Sequence, residues 1–281
     1  MATVTPDMIK ELRQRTGVAM GKCKEALEQS GGDIELAIEN LRKSGIAGAV
    51  KKEGRETKEG LINVVESGNE LTLFELSAET DFVVSNEHFQ TFAKNLAAQI
   101  AAERPADLAA LLASPYKAEA GLTVDEKRAL IVQSIGENIQ PKRFEILKKA
   151  SEATFGVYSH MGGKIVTVVV LEGASNEKAL ANDLAMHVCA SSPEYLDPSQ
   201  VPAEILEKER DIARTQVQNK PANIIESIVE GKLKAYYKEA CFLQQAYLKD
   251  AKQSVEQIVE SRSKEIGKPL RVTSYVRWSV K

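Results

Sequence analysis

Leu71-Thr72-Leu73-Phe74-Glu75-Leu76-Ser77-Ala78-Glu79-Thr80-Asp81-Phe82-Val83-Val84-Ser85-Asn86 runs from a strand pattern into a break. Beyond the break Phe89, Phe92, Ala93 and Leu96 recur at helical spacing, so strand, turn and helix follow one another in a single piece of chain. The break sets an acid beside an aromatic ring. The ordinary reading is that Asp81 caps the next helix and Phe82 folds back into the core. The alternative is that the carboxylate and the ring are thrust toward a partner.

Upstream, residues 61–66 and 71–78 flank Ser67-Gly68-Asn69, which is the pattern of a hairpin. Residues 44–60 are glycine-rich and charged and read as a linker with some helical character. Before it lies a helical unit over residues 5–43. Thr5-Pro6 is an N-cap followed by proline, Thr16-Gly17 stops the first helix, Ser30-Gly31-Gly32 stops the second, and Asp33 caps the third. Three short helices with glycine turns suit a recognition module.

Downstream, a helix is expected over about 87–102 and a helical stretch near 106–113. Thr123-Val124-Asp125-Glu126 fits a capping box at the head of a further helix that ends at Gly136. The plan then recurs: residues 155–159, a turn at Met161-Gly162-Gly163, residues 164–172, and a helix over 176–190. The repeat is one of pattern, not of residues. Residues 203–238 carry two apolar helical stripes broken at Lys220-Pro221, as in an antiparallel helical hairpin. Residues 270–280 read as an edge strand closing the second sheet.

Composition narrows the chemistry. Hydrophobic content of 43% and charged content of 27% over 281 residues allow two or three compact units with a sizeable core. No run approaches the roughly 18 apolar residues of a membrane span. Met1-Ala2-Thr3-Val4 lacks a basic n-region and an apolar h-region, so no secretory signal is expected. Cys23, Cys189 and Cys241 are odd in number and far apart, which suits thiols acting as apolar fillers in a reducing compartment. A net charge of −3, with Glu66, Glu70, Glu75, Glu79, Asp81, Glu87 and Glu103 gathered around the break, argues against a polyanion as partner.

Catalytic motifs do not emerge. Gly17-Val18-Ala19-Met20-Gly21-Lys22-Cys23 has the wrong glycine spacing for a phosphate loop, has Cys23 where the magnesium hydroxyl belongs, and follows a helix. His88, His160 and His187 lack ligand partners at metal spacing. His187 lies on an apolar stripe and reads as a packed residue, whereas His160 sits at a glycine turn and reads as exposed. A binding protein is favoured over an enzyme, with no cofactor and no metal.

Several of these motifs occur together in one family. Residues 12–27 (Leu12-Arg13-Gln14-Arg15-Thr16-Gly17 through Ala26-Leu27), 31–42 and Glu75-Leu76-Ser77-Ala78-Glu79-Thr80-Asp81-Phe82-Val83 resemble signatures of bacterial elongation factor Ts. Ile135-Gly136-Glu137-Asn138-Ile139, His160-Met161-Gly162-Gly163-Lys164-Ile165 and Ala185-Met186-His187-Val188 resemble its later landmarks, in order. The resemblance implies an α+β fold with an N-terminal three-helix ubiquitin-associated-like module. It also implies a core of two related α+β subdomains with antiparallel sheets, and an inserted helical hairpin. The corresponding divisions are 1–55 for the module and linker, 56–142 for the first subdomain, 143–198 with 240–281 for the second, and 199–239 for the hairpin.

It further implies a cytoplasmic guanine-nucleotide exchange factor for GDP-bound elongation factor Tu, acting without bond chemistry and without direct nucleic-acid or membrane contact. Thr80, Asp81, Phe82 and Val83 would enter the partner beside its Mg²⁺ and phosphate site. Arg13, Met20, Lys24, His160 and Gly162 would be further contacts, although core packing is equally open for Met20. Ala19 and Gly21-Lys22 depart from the family's usual residues around Met20. The hairpin is a candidate surface for a homodimer. The alternative is a non-catalytic adaptor that binds a protein through the helical module.

Overall fold

The computed structural model describes residues 4–217 and 221–280, so Met1-Ala2-Thr3 and Lys220 of the sequence reading lie outside the described residues. The chain divides into two compact units. Of the described residues, 4–148, 162–164 and 279–280 form the first, and 149–161 with 165–217 and 221–278 form the second.

The first unit opens with helices α1 (Pro6–Thr16), α2 (Met20–Gln29) and α3 (Ile34–Lys52). Their boundaries follow capping chemistry. The Thr5 side chain accepts the Met8 N–H, Gly17 takes the left-handed C-cap, and Asp33 accepts the Leu36 N–H. Leu12, Val18, Cys23, Leu27, Ala37 and Leu41 are buried together between these helices. The linker expected over 44–60 is mostly absent, because α3 continues to Lys52. Gly45 and Ala49 are buried on the face of α3 that meets α7 (Val124–Ile135), so these small residues serve close helix packing instead of a loop.

Between α3 and α7 lie β1 (Glu59–Ser67), β2 (Glu70–Ala78), the single turn α4 (Asp81–Val84), α5 (Glu87–Glu103) and α6 (Leu108–Ala113). β3 (Ile139–Lys148) follows α7, and the sheet order is β1-β2-β3 with antiparallel neighbours. Phe74, Leu76 and Ala78 of β2 pack with Phe89, Phe92, Leu96 and Ile100 of α5. Leu71 and Leu73 on the opposite face are also fully buried, so β2 is buried on both faces, with Thr72, Glu75 and Ser77 as buried polar residues among its apolar ones. The expected boundary after residue 142 cuts through β3, which pairs with β2 from Ile139 to Lys148 and belongs to the first sheet. Pro141 hides this strand from pattern reading. It is tolerated because β3 is an edge and the register shifts beside its partner Leu76.

The second unit contains β4 (Ala153–His160), β5 (Ile165–Glu172), α8 (Lys178–Ser191), α9 (Ala203–Thr215) and α10 (Ala222–Ala240). It is completed by β6 (Ala246–Tyr247), β7 (Asp250–Ser254), α11 (Val255–Ile266) and β8 (Arg271–Ser279). Its main sheet has the order β4-β5-β8. Arg271 reaches Glu172 and Thr273 reaches the Val170 carbonyl, so β8 runs antiparallel to β5. Ion pairs Arg210–Glu230 and Arg214–Glu226 likewise set α9 and α10 antiparallel. The two units thus share one plan: a hairpin, helices, and a last strand laid beside the hairpin's second strand. In both, the last helix starts with a capping box (Thr123, Ser254) and ends at a left-handed glycine (Gly136, Gly267).

Candidate functional site

The turn after β2 tests the capping-and-core reading of Asp81 and Phe82. Thr80, not Asp81, is the N-cap of α4, its hydroxyl accepting the Val83 N–H at 3.4 Å. Val83 and Val84 turn inward and join the cluster around Phe89 and Phe92. Asp81 and Phe82 point out, and Phe82 is 85% exposed. Core burial of Phe82 is therefore overturned. A one-turn helix can bury only part of its circumference, and its two adjacent valines take the inner side. Asn86 then caps α5 by accepting the His88 N–H at 2.9 Å.

The base of the turn is tied to the link between α7 and β3. The Glu137 carboxylate accepts the Thr80 N–H at 3.0 Å and the Thr80 Oγ–H at 2.8 Å. In return, the Asn138 N–H donates to Glu79 at 2.6 Å, and the Asn138 side chain donates to the Glu53 and Arg55 carbonyls. Glu137 and Asn138 carry no signal of this role in local spacing, since Thr80 and Glu137 are 57 positions apart.

The neighbourhood is charged. Lys164 is held above the usual lysine range by its hydrogen bond to Glu59 at 2.6 Å, with Asp81 adding a smaller attraction. On the other flank, burial and the nearby charges of Lys22 and Arg55 hold the Lys52 ammonium below its ordinary value, while Glu79 opposes them. The end of α3, whose Glu53 carbonyl accepts from Asn138, therefore lies close to the base of the turn.

Met20 is 51% exposed at the first position of α2, which removes core packing as its role. Lys24 lies one helical turn further on the same face and pairs with Glu28 at 3.6 Å. Arg13 is exposed on α1, close enough to Cys23 for its charge to act on that thiol. Gly162 is exposed with φ of 67°, and the adjoining Lys164 brings its turn toward Asp81. His160 ends β4 in the second unit. It is exposed, with its ring stacked on Tyr158.

Concave chemistry is not what distinguishes the chain. A groove of about 510 Å³ lined by Thr16, His88, Asn95 and Tyr116 does not include the 79–84 turn. Among the described residues no group of three or more His, Cys, Asp or Glu could hold a metal ion. Cys23, Cys189 and Cys241 are free and buried, and desolvation pushes the Cys241 thiol up to about 11. The prominent feature is a rigidly based apolar projection.

The family model described as Elongation factor TS matches residues 79–281, beginning at the Glu79 that anchors this turn. The chain belongs to the elongation factor Ts family. Elongation factor Ts of Protochlamydia amoebophila is 55% identical over 280 residues, covering 100% of this chain and 99% of the relative. That of Chlamydia trachomatis serovar L2b is 41% identical and that of Chlamydia felis 38% identical, over the same share of each chain. The chain is thereby placed among the elongation factors of protein biosynthesis. No helix among the described residues is long and apolar enough to cross a membrane.

Proposed function

We propose that this chain is the guanine-nucleotide exchange factor of elongation factor Tu. It would promote GDP release by inserting the Thr80-Asp81-Phe82-Val83 turn beside the partner's Mg²⁺ and phosphate site. The observation that carries this reading is Phe82, 85% exposed on a turn fixed from both sides. GDP affinity in such a GTPase rests on the metal and the loop that cradles the phosphates. A projection that fits only the distorted cradle weakens GDP by the same factor by which GDP weakens the projection. Phe82 supplies apolar insertion and Asp81 a charge that redirects the partner's polar groups. No bond is made or broken in this chain, so the proposed effect is on a dissociation rate.

Arg13, Met20 and Lys24 are proposed contacts to the same GTPase domain, and His160 and Gly162 contacts to another of its domains. The acidic surroundings of the turn support action without direct nucleic-acid contact, in the cytoplasm where the partner works. The division into a helical module, two core subdomains and a helical hairpin belongs to the same reading. Exposed Ile212 and Ile224 support use of the hairpin for a homodimer.

Stopped-flow release of labelled GDP from elongation factor Tu tests the proposal. Replacing Asp81 and Phe82 with Ala should slow release roughly tenfold to a hundredfold, the equivalent of losing one buried apolar side chain. Unchanged release would remove the insertion mechanism. The adaptor reading draws on the exposed Met20 and Lys24 face. It predicts binding that never accelerates release, in the wild type as in the variant.

A further inference from the structure

Phe82 has little of its own to hold it. It is exposed, and α4 is a single turn, too short to persist by its own hydrogen bonds. Its direction is set by the backbone of Thr80–Val84, anchored inside by Val83 and Val84 and outside by Glu137. The outer anchor is bidentate: one carboxylate oxygen takes the Thr80 N–H and the other takes the hydroxyl proton. Because that proton goes to Glu137, the Oγ lone pairs are left for the Val83 N–H, and the cap of α4 is oriented through Glu137. The clasp is reciprocal, since Glu79 receives the Asn138 N–H. It sits just past the last rung of the β2–β3 ladder, where Ala78 faces Ile139. Two strand ends are thereby locked together where the projection leaves the sheet.

We infer that Glu137 is a positioning residue for nucleotide exchange, holding the Asp81–Phe82 turn in its inserting geometry before the partner is met. The inference rests on the exchange reading above. A turn ordered in advance loses little conformational freedom on insertion, whereas a turn anchored only by its valines would have to be ordered during the event. Glu137 itself need not touch the partner. Its removal would slow the step that uses Phe82 while leaving the docking surfaces elsewhere intact.

The test compares Glu137→Ala, Glu137→Gln, Phe82→Ala and the Glu137→Ala/Phe82→Ala pair in full-length protein, reading labelled-GDP release against factor concentration. Loss of a charge-assisted bidentate anchor should lower the maximal release rate about tenfold in Glu137→Ala, with the half-saturating concentration changed less than about threefold. Glu137→Gln should recover most of the rate, because an amide can accept the Thr80 N–H and donate to Oγ. On the Phe82→Ala background the Glu137→Ala change should cost almost nothing more. In the free protein, amide hydrogen exchange at Val83, Val84 and Ser85 should quicken in Glu137→Ala and stay slow in Glu137→Gln. Should Glu137→Ala fail to fold, Thr80→Val, which removes the hydroxyl arm to Glu137 together with the Oγ cap of Val83, should slow release about threefold or more, and Thr80→Ser, which keeps both bonds, should stay near wild type; Thr80→Val with wild-type release overturns the inference.

A Glu137→Ala protein with wild-type release overturns the inference. So does a Glu137→Gln protein as slow as Glu137→Ala, or a full tenfold loss on the Phe82→Ala background. If Phe82→Ala is slow and Glu137→Ala is normal, this inference alone fails. If Phe82→Ala itself is normal, the insertion reading fails and takes this one with it.

Discussion

Phe82 and Phe89 stand on either side of one short junction and have opposite fates, 85% and 0% exposed. Phe89→Ala should cost about 3–5 kcal/mol of stability in denaturant titrations, because it empties a well-packed core site. Phe82→Ala should stay within about 0.5 kcal/mol of wild type. Their effects on GDP release should be reversed once the folded fraction is accounted for. His187 makes the stability of the second unit depend on pH. It is fully buried, accepts the Leu248 N–H at Nδ1, and therefore donates from Nε2 to Gln245 at 2.9 Å. Burial pushes its pKa down, with the Gln245 bond opposing. The unfolded chain then binds the proton more readily than the fold. The stabilisation is complete above roughly pH 6.5, the ordinary value, and is lost as pH falls toward the lower folded value. Thermal unfolding from pH 7 to 5 should show this loss, and His187→Gln should flatten it. The burial of His187 was legible from its stripe on α8. The outward turn of Phe82 was not, because a four-residue helix has no periodicity to read.

At the scale of elements, α8 lies so close to β4 that only glycine fits at one point. A Cβ on Gly156 would stand 1.9 Å from the Ala181 carbonyl oxygen, and backbone cannot swing aside as a side chain can. The same contact places Asn182 to accept the Val157 N–H at 2.9 Å. Gly156→Ala should therefore destabilise by about 3 kcal/mol or more, or prevent folding of the second unit, as read by denaturant unfolding. Element ends were the most legible level of the structure. Thr5, Asp33 and Thr123 each cap the helix that their sequence pattern announces, since these caps are made within four residues of chain. Elements whose existence depends on distant partners were not legible. The glycines of α3 look like a linker until α7 is laid against them, and β3 looks like a loop until β2 supplies its ladder. The Glu79–Asn138 and Thr80–Glu137 clasp belongs to the same kind, because nothing in either segment announces the other.

On the scale of the whole molecule, one plan is used twice, and only the second copy is interrupted by a long helical excursion. The strand–turn–strand–helix rhythm was visible in the sequence because each hairpin is local. The closing strands, each far from its partner, complete the plan in space. The excursion is separable from the core it leaves. Among the described residues, the cluster formed by Val169, Leu171, Leu184, Val188, Phe242, Val255 and Val272 has no member between residues 203 and 240. The feet of the excursion are already bridged: Tyr195 pairs with Cys241, and the Phe242 N–H donates to the Tyr195 carbonyl at 2.8 Å. Excising residues 203–238 and joining the ends with a short glycine-serine loop should leave a cooperatively folding protein, because the cut keeps the Glu239 carbonyl that holds Gln245 and segments with bridged ends are tolerated as deletions. Circular dichroism should show lost helix with the cooperative transition retained. Sedimentation should show a monomer if α9 and α10 hold two copies together. GDP release by the excised protein should then remain within about threefold of wild type, because Phe82, Thr80 and Glu137 all lie in the other unit. Release as slow as in Phe82→Ala would instead place the hairpin in the docking step, and the projection alone would no longer account for exchange.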